Sequence, residues 1–338
     1  MTSDTTMTAA VYRRFGAPEE VHLEQRAVPT PRAGEVLIRV HASTVSVADH
    51  RARARDVPAG LGLLASAGIG LFRPRRPILG MDAAGVVAAV GSGVTDFSEG
   101  DRVIAAMGGA FGGHAEYVCV SADGAITRAP ASMTFDEAVT LVFGGITVQG
   151  FFSQVSIGPG TSVLVNGASG AVGTAAIQLA KQLGAVVTAV TSGRNASLVS
   201  SLGADRVIDY TRQDFAAGSD TYDVIVDAVG NARFDRVEGS ITPGGALLLV
   251  VGDLRSMLRS RGQSRRSGKL VTWHVGTPGA EALAQLVGLA DAGSYQAVID
   301  RSFPLADIVE AHRYVDTGRK RGNVVLRVAE PGSDATPL

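Results

Sequence analysis

A chain of 338 residues with 46% hydrophobic and 19% charged content describes a globular protein with ample core, long enough for two domains. A formal net charge of −1 offers no long-range case for nucleic acid or membrane as partner, and a single cysteine, Cys119, excludes a disulfide framework and a cysteine-rich zinc site. The opening MTSDTTMTAAVYRRFGAP has no apolar signal core and no apolar run reaches transmembrane length, so a cytoplasmic location is expected.

Residues 1–130 read as β-rich and full of turns. In Glu35-Val36-Leu37-Ile38-Arg39-Val40-His41 the apolar positions Val36, Ile38 and Val40 share one face, and segments 85–91 and 101–105 read as further strands. Repeated short strands predict a compact barrel-like domain. From about Met133 the texture changes. A helix is predicted from near Thr134, followed by strands at 163–165, 186–190, 206–208, 224–227 and 246–251 with helical segments between most of them. That rhythm predicts an α/β domain with a doubly wound parallel sheet over residues 131–294. The tail, 295–338, holds a helix at 305–314 and a strand at 323–328, and is expected to return to the first domain.

The most informative stretch is VLVNGASGAVGTAAIQLAKQLGA, residues 163–185. A short β-branched run leads into Asn166, then Gly167, Gly170 and Gly173 at three-residue spacing, and then a helix pattern. A strand, a glycine turn and a helix N-terminus together make an anion site, with free amides and the positive dipole end aimed at a phosphate. Glycine spacing alone is weak in a chain with 42 glycines; the flanking strand and helix give it weight. Ser169, Ala171 and Val172 complete the predicted contact set. At the end of the next strand, where an NAD site usually carries an acidic residue, this chain has Thr191-Ser192-Gly193-Arg194-Asn195. Hydroxyls and a guanidinium suit a 2′-phosphate, which favours NADPH over NADH. The same residues also suit a helix cap, and both roles are compatible. The arginine-dense DLRSMLRSRGQSRRSGK, 253–269, reads as a solvated, partly mobile loop or as a lid that meets an anionic group.

Several segments now occur in a recognisable order: GEVLIRVHASTVSVADHRAR, RRPILGMDAAGVV, GGHAEYV, LVFGGITVQGFF, NGASGAVGTAAIQLAKQLGA, SLGADRVIDY and RGNVVLRV. Together they resemble the medium-chain dehydrogenase/reductase superfamily, in its zinc-free quinone oxidoreductase and enone reductase branch. The resemblance implies a GroES-like catalytic domain, a Rossmann domain, NADPH, and a homodimer paired through the Rossmann sheets. In the zinc alcohol dehydrogenases of this superfamily a cysteine stands where this chain has Ser46, and a His-Glu pair where it has Met81-Asp82. Without those ligands zinc catalysis is not expected. A quinone or a conjugated enone then suits hydride addition better than a simple ketone, because the charge spreads onto an oxygen that a few donors can hold.

Carried over position by position, the resemblance implies catalytic or substrate roles for Ser46, Asp49 and Thr147. For Asp49, a structural hydrogen bond to neighbouring backbone is an equal alternative. Val229, Gly230, Val250 and Gly252 are implied near the nicotinamide, Tyr210 beside the adenine ribose or phosphate, and Asn323 where relatives often carry lysine. Some enoyl reductases of this branch place a proton-donating tyrosine where this chain has Val47. Trp273 and His274 are candidates for the substrate pocket or for core packing. The leading expectation is an NADPH-dependent reductase of a small carbonyl or quinone substrate. Its alternatives are an enoyl reductase acting on a carrier-bound or coenzyme A-bound substrate, and a non-catalytic NADPH sensor.

Overall fold

The fold is that of a computed structural model, which describes residues 6–273, 276 and 278–329. An antiparallel hairpin, β1 (Thr6–Tyr12) and β2 (Val21–Ala27), precedes the long strand β3 (Glu35–Thr44). Helices α1 (Val47–Ala54) and α2 (Gly62–Ile69) follow, then strands β4 (Asp82–Val90), β5 (Arg102–Ala106), β6 (Tyr117–Ser121) and β7 (Ala125–Arg128). β3 pairs antiparallel with β4 on one side and with β6 on the other. Val36, Ile38 and Val40 enter the core of this sheet, as their alternation predicts.

The passage to the second half is a capped start. The Thr134 hydroxyl accepts from the Glu137 amide while the Glu137 carboxylate accepts from the Thr134 amide, and α3 (Phe135–Ala138) runs on into α4 (Thr140–Phe152). Strand and helix then alternate: β8 (Ser162–Asn166), α5 (Ala171–Gln182), β9 (Val186–Thr191), α6 (Ala196–Ser201), β10 (Arg206–Asp209), β11 (Tyr222–Asp227), α7 (Phe234–Val237), β12 (Ile241–Leu249), α8 (Leu254–Ser267) and β13 (Leu270–Thr272). The strands form one parallel sheet in the order β10-β9-β8-β11-β12-β13. Val163, Leu164 and Val165 are fully buried, as a central parallel strand covered on both faces requires. The order reverses between β8 and β11, and the crevice beyond their C-terminal ends is where such sheets bind ligands.

After α9 (Ala280–Asp291), the chain leaves this sheet. β14 (Ile299–Pro304), α10 (Ile308–Asp316) and β15 (Asn323–Arg327) form a parallel crossover, and β15 pairs antiparallel with β3 beside β6. One core cluster joins the halves: α4 and α5 side chains pack with Ala42, Ala84, Ile104 and Val325 of the first sheet.

The arginine-dense segment is a helix rather than a loop. Asp253 caps α8 by accepting from the Ser256 amide at 2.7 Å. The face of α8 turned to the protein is marked by serines: Ser260 is buried, and the Ser264 hydroxyl accepts from the Val271 amide of β13 at 2.9 Å. Hydrophobic periodicity has nothing to detect there, whereas arginine itself is a good helix former. β13 lay unseen for the same reason, since it is three residues long and takes its place through α8.

Candidate active site

The glycine turn lies at the reversal of the parallel sheet, as its sequence predicts. Gly167 leaves β8 with φ +80°, a left-handed conformation that favours glycine. A Cβ on Gly173 would stand 2.2 Å from the Gly167 carbonyl oxygen, so only glycine lets the first turn of α5 pack this closely on β8. Gly170 is the N-cap of α5 and supplies no side-chain cap, which leaves the amides of Ala171, Val172 and Gly173 in the first turn for an anion.

A cavity of about 770 Å³ opens over this turn. Asn166, Gly167, Ser169, Gly170, Ala171, Val172 and Gly173 form one wall, and Thr147, Tyr210, Val229 and Val250 also line it. Val47, Ala48 and Arg51 of α1 and Phe143 of α4 bound it elsewhere. A hollow of about 930 Å³ between α4, α5 and α9 is larger but shares no lining residue with the glycine turn.

The polar groups around the turn are held in place by one another. Ser169 Oγ accepts from Thr191 Oγ1 and Asn195 Nδ2, each at 3.0 Å, and the Asn195 amide also reaches the Ser192 hydroxyl at 3.3 Å. Asn195 is thus the N-cap residue of α6 by position only, because its side chain turns to the glycine loop. Arg194 is exposed beside this cluster and outside the cavity lining. On the other side Asp227, fully buried at the end of β11, accepts from Asn166 Nδ2 at 2.8 Å and from the amides of Val229, Gly230 and Ala232 at 3.1, 3.0 and 2.8 Å. This carboxylate shapes the loop that carries Val229 to the cavity. Sequence reasoning missed it, although an Asp ending a buried strand before Val-Gly-Asn was the available signal.

Several expected site residues lie elsewhere. Ser46 and Asp49, taken from the sequence as catalytic candidates, are buried and absent from the cavity wall. The Ser46 amide and hydroxyl donate to Asp49 Oδ2 at 2.8 and 2.5 Å, the Asp49 amide returns to the hydroxyl, and the Gly80 amide donates to Asp49 Oδ1 at 2.8 Å. These residues are a capping box that starts α1 and ties it to the turn before β4, and Asp49 makes the backbone hydrogen bonds of its structural reading. Gly230 and Gly252 stand beside lining residues without lining the cavity themselves; Val251 takes the place expected of Gly252. Asn323 is buried, donates to the Val298 carbonyl at 3.2 Å and is not among the residues that line the cavity. Trp273 is half-exposed beyond β13 and outside the cavity, and His274 falls outside the described residues. Cys119 is half-buried in β6, where burial pushes its thiol up to about 11.

Three cavity cations were not foreseen, one of which, Arg236, is paired with Asp214 at 2.6 Å. Arg51 lies on α1 one turn beyond Val47. Lys320 donates to the Gly322 carbonyl at 2.7 Å, and burial pushes its ammonium down to about 8 despite Asp300. Its position is set by a stitch between distant segments: the Gly322 amide donates to the Ser169 carbonyl at 2.7 Å, and Gly170 bridges Gly322. Asp82, at the position of the zinc enzymes' His-Glu pair, is fully buried and accepts from the Thr44 amide and hydroxyl at 2.7 and 2.6 Å. Burial outweighs these donors and pushes its carboxyl up to about 7.

Comparison with known proteins places this geometry. Residues 32–131 match the family described as alcohol dehydrogenase GroES-like domain, and residues 202–326 match zinc-binding dehydrogenase. The chain is similar to 2-methylene-furan-3-one reductase of Solanum lycopersicum, at 30% identity over 95% of this chain and 79% of the relative. It is equally similar to the NADPH-dependent alkenal/one oxidoreductase of Arabidopsis thaliana chloroplasts, at 30% identity with the same coverage. Among solved structures, the quinone oxidoreductase of Coxiella burnetii superposes with a TM-score of 0.84 at 29% identity, covering 96% of this chain and all of the other. The chain belongs to the medium-chain dehydrogenase/reductase superfamily, in its quinone and enone oxidoreductase branch, and is an oxidoreductase that binds a nicotinamide cofactor.

Proposed function

We propose that this protein is an NADPH-dependent, zinc-independent reductase that delivers hydride to a quinone or to the C=C bond of an α,β-unsaturated carbonyl. The observation that carries the reading is the pairing of an open anion cradle with a largely apolar cavity whose first-domain wall has no metal donors. The position of a zinc-binding cysteine holds Ser46, engaged with Asp49, and Asp82 is enclosed by Thr44 and Ser43. Among the described residues no group of three or more His, Cys, Asp or Glu side chains is arranged to hold a metal. This donor set does not fit a catalytic zinc.

The nicotinamide group, when bound, supplies the hydride. The protein's residues bind and orient. First-turn amides of α5 take the pyrophosphate, with Lys320 adding positive charge beside them. Arg194 and Ser192 meet the 2′-phosphate, and Tyr210 lies along the adenosine. Asp227 fixes the loop whose Val229, with Val250 and Val251, bounds the nicotinamide side. Thr147 donates its hydroxyl to the Phe143 carbonyl at 2.7 Å, so it contributes shape rather than a proton. Val47, Ala48 and Phe143 keep the substrate side dry, and Arg51 is assigned to the negative charge that builds on the carbonyl oxygen as hydride adds to the β-carbon. The short edge strand β13 suits the homodimer, joined through the two parallel sheets, that the superfamily resemblance implies.

NADPH consumption by metal-stripped enzyme, followed in parallel on a quinone and a cyclic enone with product identification, tests this reading. Chelator-insensitive oxidation of NADPH with a hydroquinone or a saturated ketone as product is expected. Stoichiometric zinc with chelator-sensitive alcohol oxidation overturns it.

A further inference from the structure

The overall charge balance conceals a local asymmetry. Residues 71–77, LFRPRRP, and residues 254–269, which are α8 and its exit, together hold nine of the chain's 31 basic side chains and none of its 32 acidic ones. The two most exposed large hydrophobic side chains of the described structure stand in these same two segments: Phe72 at 87% and Leu258 at 74%. Scattered surface leucines need no explanation, but a fully presented phenylalanine and leucine among arginines do.

Both side chains are presented by ordered backbone. Gly70, at φ +110°, makes a turn so tight that a Cβ there would stand 2.0 Å from the Arg73 carbonyl oxygen, and the Arg75 amide closes it on the Ile69 carbonyl at 3.0 Å. That turn holds Leu71 and Phe72 outward. On α8 the exposed side carries Arg255, Arg259, Arg261, Arg265 and Arg266 around Leu258, and none of the five forms an ion pair among the described residues. The segments are physically joined. The Leu254 amide donates to the Ala59 carbonyl at 3.1 Å, Gly60 packs so closely that a Cβ would meet Leu254 Cβ at 2.8 Å, and the uncharged helix α2 (GLLASAGI) leads from Gly62 to Ile69, just before the turn at Gly70. The joined patch borders the cleft, because Val251 lines the cavity just before the cap of α8 and Val47 lines it at the start of α1.

We propose that this patch docks on anionic phospholipid and sets the cleft mouth against the bilayer, so that substrate is drawn from the membrane phase. The delivery step rests on the reductase reading; the docking does not. An interfacial surface needs apolar side chains that enter the acyl boundary and cations that meet lipid phosphates, and both are present on adjoining segments. A second copy meeting this patch across a two-fold axis would set arginine against arginine. An inference from net charge alone, which gave no case for a membrane, averages this surface with an acidic remainder.

The full-length protein is sedimented with vesicles of phosphatidylcholine alone and with vesicles containing phosphatidylglycerol, at low and high salt. Binding to the anionic vesicles only, weakened by salt, is expected. Arg259→Glu with Arg266→Glu weakens it at least tenfold, each lost cation counting for about fivefold. Phe72→Ser with Leu258→Ser weakens it at unchanged charge. Both variants keep wild-type turnover of a water-soluble enone, which controls for folding, and lose rate only on a lipid-dissolved quinone. The proposal is overturned if anionic vesicles leave the protein in the supernatant, if wild type and variants sediment alike, or if the arginines matter for coenzyme A, an oligonucleotide or self-association but not for vesicles. Sedimentation without turnover of any acceptor would instead sink the reductase reading and leave the docking intact.

Discussion

Two helices start beside the same cavity, and they start in opposite ways. α1 opens on Ser46, whose side chain and Asp49 satisfy each other's amides, so its N-terminus is closed. α5 opens on Gly170, with no side chain to close it and three first-turn amides left over. One terminus is completed by the protein and the other waits for a ligand's charge. A helix N-terminus is therefore open to an anion only where the chain withholds its own carboxylate, as α5 does and α1 does not.

That contrast can be broken most sharply at Gly173. Gly173→Ala puts a Cβ within 2.2 Å of the Gly167 carbonyl oxygen and displaces the turn, and kcat/KM is expected to fall by about 100-fold or more while circular dichroism stays that of the folded chain. Wild-type cofactor titration by this variant would show that the open terminus is not the phosphate site. The next effect is on discrimination. Arg194→Ala should raise the KM for NADPH by roughly tenfold, the loss of one charge-assisted contact, and leave NADH unchanged; an equal change for both cofactors would remove Arg194 from the 2′-phosphate.

At the closed terminus the expected change is in stability instead. Asp49→Asn turns one of the two acceptor oxygens into an NH2 donor, so that Ser46 N, Ser46 Oγ and Gly80 N can no longer all be accepted, and should cost about 1–3 kcal/mol in denaturant unfolding with kcat within about twofold. A collapse of kcat at unchanged stability would return Asp49 to the chemistry. The smallest effect is a pH dependence. Lys320 is charged below about 8 and loses its proton above it, so NADPH affinity should fall by about fivefold as pH rises through that value, on the scale of one partly screened charge. Lys320→Arg, charged throughout, should flatten the profile, and a slope that survives it would assign the titration to another group.

These two termini also show what was readable in advance. The β8–α5 turn was legible because its shape resides in backbone conformation, and glycine spacing between a β-branched run and a helix pattern records that directly. The α1 start was visible too, as Ser-Val-Ala-Asp, but the same letters spell a capping box and a polar site, and only burial distinguishes them. Asp227 was hidden because its partners are backbone amides, which leave no letter. Arg51, Arg236 and Lys320 come from segments that topology alone brings to the cavity, and α8 was disguised because the one residue it buries is a serine, Ser260.

The stitch between Gly322 and the glycine turn has a consequence for the order of events during synthesis. Ser169 and Gly170 leave the ribosome about 150 residues before Gly322 arrives to bond them, and β3 waits longer still for β15. Both the glycine turn and the first sheet thus remain unfinished until nearly the whole described chain has emerged. Contacts of such separation close slowly, so a nascent chain stalled short of this point holds an open β3 edge and an unsealed turn together, and is the form most in need of a chaperone.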